Sequence, residues 1–390
     1  FKHIMGYVEQ FDTLAPHDTA REAIEFSAAL RLPGSTPVDM RNNWVTTVLT
    51  MLELIPLEHT LIGSDENGGM SFEQKKRVSI GVELAANPAI LFLDEPTSGL
   101  DSRAAQVVIR CIKRVAASGR SVVCTIHQPS TVIFEAFESL LLLKRGGQTV
   151  YFGELGDMGC NLVSYMEAIP GVKAKPKGTN PATWMLEVIG AGTSGANHTD
   201  TDFHAAYCGS ALCDVNTTKI NVLCPDDDAV VDVNESEVPG HPPHHKIPGF
   251  FRKGKDKRKL GATGPKNYNS SYWVQFRVLM YRFALSYWRS PTYNFGRIIV
   301  SIIIALIFSS TYANQKYHTD VDVISRVALI YITLVFTGVI GMMSVQPVIF
   351  DERPAFYREQ FSDIYDVKLY TLAATLVEVR RGNLIIYHLH

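Results

Sequence analysis

The stretch Ile90-Leu-Phe-Leu-Asp-Glu-Pro-Thr-Ser-Gly-Leu-Asp101 decides how the first half of this chain is read. Four apolar residues, Ile90 to Leu93, read as a buried strand that ends in two adjacent carboxylates, Asp94 and Glu95. Phosphoryl-transfer sites need this pair: one carboxylate to hold Mg²⁺ through its shell (Asp94), the next to orient and polarise an attacking water (Glu95). Two carboxylates at the end of a buried strand with no cation to serve would be disfavoured by desolvation. Working outward, Asp101 is placed to N-cap a helix from about Ser102 to Ser118, with Val108, Ile112 and Val115 on one face and Gly119 as its stop. Ser121 to Ile126 reads as the next buried strand, which puts His127 at a strand end, 32 residues after Glu95. Ser139 to Leu143 and Thr149 to Phe152 read as a hairpin. Strand, helix, strand at this spacing implies an α/β domain with a parallel sheet.

Composition sets the remainder apart. Among 390 residues, 37 Lys and Arg stand against 39 Asp and Glu, a formal net charge of -2, which argues against a nucleic-acid binder. Charged residues are only 19% and apolar ones 46%, with a mean hydropathy of +0.04, so part of the chain is expected in a membrane. The length accommodates two or three domains, and the six cysteines need no staple role. The opening FKHIMGYVEQ reads as if cut from a longer chain, with no secretory signal.

Four segments are expected: an α/β domain over 1–190, a polar and basic linker over 191–265, an interfacial amphipathic helix over 266–292, and a partial membrane domain over 293–390. The linker carries seven Lys and Arg between Lys246 and Lys259, opposed only by Asp256, and suits either a solvated tether or contact with anionic headgroups. In the helix, Trp273, Phe276, Met280, Phe283 and Tyr287 recur at heptad spacing, with Arg277, Arg282 and Arg289 elsewhere, as at a lipid bilayer surface. Uncharged runs predict spans over about 296–313 and 327–350. A third apolar stretch from Val367 meets Glu378, Arg380 and Arg381 and is an incomplete span as written. Arginines flank the two spans outside their connecting loop, so the positive-inside bias puts the α/β domain in the cytoplasm. The sequons at Asn197, Asn216, Asn234 and Asn269 are then chance occurrences.

The run Ile90 to Asp101 resembles the extended Walker B and D-loop of ATP-binding cassette (ABC) ATPases, and other pieces fall in order. Gln10 in GYVEQFD resembles the Q-loop, Asp65 to Arg77 the signature region, and His127 in TIHQPS the H-loop. The departure from the common LSGGQ signature lies in Met70, Ser71, Phe72, Glu73 and Gln74. Glycines there let backbone N–H groups approach a γ-phosphate at a helix N-terminus. Glu73 would oppose that phosphate by about 4 kcal/mol at 4 Å and an effective dielectric near 20 unless it turns away. VSIGVELAANPAILFLDEPTSGLD, LLLLKRGGQTVYFGELG, NPATWMLEV, RSPTYNFGR and DERPAFYREQ resemble the second half of full-size subfamily-G, pleiotropic-drug-resistance transporters.

The resemblance implies a P-loop NTPase-like ABC nucleotide-binding domain followed by an α-helical transmembrane domain in a multi-pass membrane protein of the plasma membrane. It also implies ATP and Mg²⁺ as cofactors, with Asp94 and Gln10 toward the metal. Glu95 and His127 would be catalytic, while Gln10, Ser71, Gln74, Asp94 and Asp101 contact nucleotide, Ser71 and Gln74 facing the nucleotide of the other ABC half. That half would be the partner, the cargo an amphiphilic drug, lipid or sterol. Gln10 would relay nucleotide state to the membrane helices, and the loop Asp351 to Gln360, from its cytoplasmic position, is a candidate contact for that relay. No G-x-x-x-x-G-K-[ST] phosphate loop occurs in these residues, so the chain cannot build a complete ATP site by itself. The alternative is a non-catalytic membrane fragment or partner subunit. A soluble ABC ATPase is contradicted by the uncharged spans.

Three weaker patterns are set aside. Gly190, Gly192 and Gly195 spell G-x-G-x-x-G, yet no amphipathic helix opens after them. Cys208, Cys213 and Cys224 near His204 lack zinc-site spacing, and His241, His244 and His245 read as linker.

Overall fold

The computed structural model describes residues 4–64, 68–190, 201–224, 268–312 and 320–388, in two compact units: Phe1–Phe92 with Asp256–His390, and Leu93–Lys255. In chain order the first unit opens with strand β1 (Met5–Val8), helices α1 (Ala20–Arg31) and α2 (Val38–Met51), the short strands β2 (Gly63–Ser64) and β3 (Gly68–Gly69), helix α3 (Phe72–Leu84) and strand β4 (Ile90–Leu93). Thr19 and Glu22 close a capping box at the start of α1, which therefore begins where its apolar face begins. That face, including Ile24 and Ala28, packs on α3, whose residues Lys76 to Leu84 are all buried. Gly81 admits the close approach, because a Cβ there would meet Ile24 Cδ1 at 2.8 Å. β2 and β3 pair antiparallel, Gly63 opposite Gly69, and Gly63 holds φ +71°. The N–H groups of Ala89 and Ile90 donate to Ile4 O, aligning β4 with β1.

The second unit takes up the end of β4 at Leu93. It continues with α4 (Ser102–Ala117), β5 (Ser121–Cys124), α5 (Thr131–Phe134), β6 (Ser139–Leu143), β7 (Thr149–Glu154), α6 (Cys160–Glu167), α7 (Pro181–Val188), α8 (Phe203–Cys208) and α9 (Ala211–Leu223). The helix and hairpin stand where the periodicity places them: Asp101 caps α4, Val108, Ile112 and Val115 are buried, and Ser139 pairs with Glu154 across the β6–β7 hairpin. β5 is shorter than expected and ends at Cys124. The linker expected over 191–265 is corrected over 201–224, which folds as α8 and α9. Phe203 is buried with Val150, Leu162 and Trp184, so the core of this unit extends past residue 190. The basic stretch, the G-x-G-x-x-G glycines at 192 and 195, and His241, His244 and His245 lie outside the described residues.

The first unit resumes with α10 (Tyr272–Arg289), α11 (Pro291–Tyr312), α12 (Asp320–Phe361) and α13 (Val367–His388). The face assignment of α10 is corrected. Phe283 and Tyr287 of the aromatic heptad point into a core with Phe26 and Leu30 of α1 and Ala373 and Val377 of α13, whereas Tyr272, Trp273, Tyr281 and Trp288 are exposed. A heptad stripe marks whichever face packs, and here it packs on protein, each such side chain stabilising the core by about 1.5–3 kcal/mol. Two helices among the described residues are long and apolar enough to cross a membrane, within Tyr293–Ser310 and Val323–Phe361. The expected loop from Asp351 to Gln360 is instead helix, the continuous end of α12. The charges of the third stretch are also accounted for in part: Glu378 accepts from Arg297 Nη1 at 2.9 Å and from the Tyr293 hydroxyl at 2.8 Å.

Candidate functional site

In the second unit, the end of β4 presents Asp94 and Glu95 next to the residue that follows β5. Thr125 N–H donates to Leu93 O at 3.0 Å, which holds the two chain segments in register as they leave the sheet. The Thr125 hydroxyl donates to Asp94 Oδ1 at 2.7 Å and accepts the Glu95 N–H at 2.9 Å. One hydroxyl thus fixes both the carboxylate of Asp94 and the backbone of Glu95. Glu95 itself takes φ +43°, a left-handed conformation that a non-glycine residue adopts at a cost of about 1–3 kcal/mol and that concentrates at functional sites. Both carboxylates are half-buried. Asp101 is committed to capping, its Oδ1 accepting the Ala104 N–H at 2.7 Å. His127 is exposed, in a bend beyond β5 rather than at the strand end, and the next residue, Gln128, has φ +49°. Thr125 was not singled out from the sequence. A β-branched residue in a strand pattern gives no sign of its partners, although its place two residues before His127 is where a strand-end hydroxyl would face Asp94.

In the first unit, Gln10 follows β1, and its backbone is anchored from α3. Lys76 is fully buried, and its Nζ donates to Gln10 O at 2.8 Å and Glu9 O at 3.3 Å while pairing with Asp12 Oδ1 at 3.0 Å. Burial pushes the Asp12 carboxyl above its ordinary range, with Lys76 opposing that rise. At the start of α3, Ser71 and Gln74 form a capping box: Ser71 Oγ accepts the Gln74 N–H at 3.3 Å, and Gln74 Oε1 accepts the Ser71 N–H at 3.0 Å. Glu73 turns away along the helix, its Oε1 lying 2.6 Å from Arg77 Nε, while Arg77 Nη1 donates to Leu52 O and Glu53 O. The carboxylate expected to repel a phosphate is thereby neutralised within one helical turn. Phe72 is exposed. Asp65 to Asn67 of the signature region lie outside the described residues.

Sequence reading also missed a buried charge cluster in the first unit, built where α10 meets α1. Arg282 Nε stands 3.2 Å from Asp18 Oδ2, and its Nη1 donates to both oxygens of Glu359 at 2.8 and 3.0 Å. The guanidinium lies over the Phe26 ring at 4.3 Å, and the Tyr365 hydroxyl donates to Glu359 Oε2 at 2.8 Å. Burial pushes the Asp18 carboxyl up to about 6, with Arg282 opposing. About two turns along α10, Arg289 donates to both oxygens of Glu22 at 2.5 and 2.8 Å and to His17 O at 2.9 Å. Burial raises the Glu22 carboxyl, but the bonds from Arg289 and Thr19 outweigh it and hold it below its ordinary range.

A divalent cation suits the donor set at Asp94. Mg²⁺ binds through one or two hard carboxylate oxygens and completes its shell with water and substrate phosphates rather than with a dedicated protein cage. Among the described residues no group of three His, Cys, Asp or Glu side chains forms such a cage, and the thiols of Cys208, Cys213 and Cys224 are free.

Comparison with known proteins places both ends of the chain. Residues 1–98 match the family model described as ABC transporter, and residues 274–386 match the one described as ABC-2 type transporter. Pleiotropic drug resistance protein 1 of Petunia axillaris is 38% identical over 381 residues, covering 97% of this chain and 24% of the relative. ABC transporter G family member 40 of Arabidopsis thaliana is 39% identical over 381 residues, covering 97% and 25%. ABC transporter G family member 39 of Oryza sativa subsp. japonica is 38% identical over 384 residues, covering 97% and 24%. The chain thus spans about a quarter of the length of these relatives. An ABC-type nucleotide-binding segment followed by an ABC-2 type membrane segment, both within one continuous match, means that the chain belongs to the ABC transporter G, or pleiotropic drug resistance, family.

Proposed function

We propose that this chain supplies nucleotide-binding and membrane elements of an ATP-driven exporter of amphiphilic or hydrophobic small molecules, lipids and sterols among them, with ATP hydrolysis coupled to rearrangement of the membrane helices. The observation that carries the reading is the Thr125 hydroxyl holding Asp94 and Glu95 together at the end of β4, with Glu95 in a left-handed backbone. Such fixed carboxylates do two jobs in phosphoryl transfer. Asp94, with Gln10, would hold Mg²⁺, which when bound spreads the charge of the phosphate oxygens. Glu95 orients a water toward the γ-phosphorus and accepts its proton as the bond to the leaving ADP breaks. His127, exposed beyond β5, would contact the γ-phosphate, and Asp101 would belong to the loop facing the other cassette. Ser71 and Gln74 stiffen the N-terminus of α3, whose backbone N–H groups would face the nucleotide of the other ABC half. The phosphate loop that this site requires must come from residues other than these 390.

Coupling to the membrane runs through α10. Arg282 and Arg289 tie the helix preceding the first span to Asp18 and Glu22, beside the loop that carries Gln10, and Glu359 brings the end of α12 into the same cluster. The arginines that flank the two spans support a cytoplasmic nucleotide-binding segment, and the resemblance to pleiotropic drug resistance transporters a plasma-membrane protein. In the native protein, Glu95→Gln should bind ATP with unchanged affinity and lose about two to three orders of magnitude in turnover. Undiminished hydrolysis by that variant would remove the assignment. The second reading, a non-catalytic membrane fragment or partner subunit, rests on the phosphate loop that these 390 residues do not contain. It predicts that wild-type and Glu95→Gln proteins are equally inactive.

A further inference from the structure

Between α1, α2 and α10 lies a cavity of about 320 Å³, at the small end of the range for ligand pockets. Phe26, Ala29, Val278 and Leu285 give it an apolar wall. Three carboxylates also line it, and each takes part in an ion pair: Asp18 with Arg282, which also serves Glu359, Glu22 with Arg289, and Glu25 at 3.4 Å with Arg21, which also serves Glu58. Two further lining residues, Arg41 of α2 and Arg277 of α10, have side chains with no ion pair or hydrogen bond among the described residues. Arg41 is half-buried, so its positive charge is held partly out of water. The cavity wall therefore carries two guanidinium groups, one half-buried and one exposed, that no side chain among the described residues pairs with.

We propose that this cavity binds a phosphate-bearing anion, held by Arg41 and Arg277, and that a membrane phospholipid headgroup presents it. Guanidinium groups bind phosphate oxygens through paired, charge-assisted N–H···O bonds, and two of them match one phosphate better than they match a neutral headgroup. The apolar wall accepts the glycerol and first methylene groups next to that phosphate. The exposed face of α10, with Tyr272, Trp273, Tyr281 and Trp288, has the aromatic composition that rests at a bilayer interface, and Tyr281 also lines the cavity. A lipid bound here touches α1 and α10 at once, beside the Arg282 cluster, so its occupancy would stiffen the junction between nucleotide-binding and membrane segments.

The test uses the native protein in detergent, incubated with phosphatidic acid, phosphatidylcholine or inorganic phosphate, with retained ligand counted by native mass spectrometry. Phosphatidic acid should be retained by the wild type, and the Arg41→Gln/Arg277→Gln double variant should lose about tenfold or more in affinity. Ala29→Leu, which fills the cavity and leaves every charge in place, should lose retention as well. Phosphatidylcholine should bind alike in all three proteins. Binding of inorganic phosphate that is as strong as that of phosphatidic acid and falls in the double variant would keep the site and change its source to a soluble phosphate. Equal retention of phosphatidic acid by the wild type, the double variant and Ala29→Leu would overturn the proposal. These readouts are binding alone, so they stand apart from whether the protein hydrolyses ATP.

Discussion

Replacing Arg282 by methionine tests the cluster at the α1–α10 junction most directly. The guanidinium serves two carboxylates at once, 3.2 Å from Asp18 and 2.8 Å from Glu359, and the side chains of both acids are only 5% exposed. Methionine keeps most of the stem and removes the charge, which leaves two acids buried with no cation between them. Removing one partner of a buried ion pair costs about 3–5 kcal/mol. The cost should depend on pH, and its sign follows from Asp18. Burial already raises this carboxyl from 3.8 to about 6 with Arg282 opposing the rise, so without Arg282 it climbs further. An acid raised in the folded state favours folding fully below its unfolded value, and that contribution is lost as pH rises through its folded value. The wild-type shift alone, about two units, corresponds to about 3 kcal/mol across that window. Arg282→Met should therefore be less destabilised near pH 5, where Asp18 is protonated and the loss falls on Glu359 alone, than near pH 8. At about 2–4 °C per kcal/mol the pH 8 defect is a drop of roughly 6–20 °C in Tm, measured by tryptophan fluorescence during heating of the native protein in nanodiscs. Adding Asp18→Asn to the variant should restore part of the loss at pH 8 and little at pH 5. An equal drop at both pH values, or none at either, would refute the reasoning.

Two further outcomes follow from the site geometry. Thr125→Val keeps the shape of the side chain but removes the hydroxyl shared by Asp94 and Glu95. ATP turnover in the native protein should fall by about tenfold or more while nucleotide affinity, measured by equilibrium binding, changes little, because the loss falls on positioning rather than on ground-state contact. Glu73→Gln should change turnover by less than about twofold, since its carboxylate is already paired with Arg77. A large gain in activity for that variant would mean that the carboxylate does oppose the nucleotide.

What could be read from the sequence, and what could not, divides by the range of the interaction. Asp94 and Glu95 were legible because an apolar strand, a carboxylate pair and a capping aspartate follow one another within Ile90 to Asp101, and each is a local signal. The capping roles of Ser71 and Gln74 are equally local, three residues apart, yet the resemblance drew attention to a nucleotide and away from the helix end they close. Thr125 is distant by 31 residues from Asp94, and nothing in a strand pattern tells which hydroxyl will reach across. Arg282 shows the limit most clearly. On its own helix it reads as one of several arginines beside aromatic residues, which is the composition of a membrane surface. Its partners are Asp18 and Glu359, 77 residues away in the second case, and only their meeting turns a surface arginine into a buried one. The same reasoning explains why Phe283 and Tyr287 were assigned to lipid: periodicity says that one face of α10 is apolar, but the occupant of that face is decided by α1 and α13. A helix that must bind both a membrane and a nucleotide-binding domain needs two apolar faces of different character. Here the aromatic residues with polar edges, Tyr272, Trp273, Tyr281 and Trp288, stay exposed, and Leu279, Phe283 and Tyr287 pack inside. α1 and α10 are joined by the Arg282–Asp18 and Arg289–Glu22 pairs, and because shielding from water strengthens the buried first of these, the two helices are expected to move together.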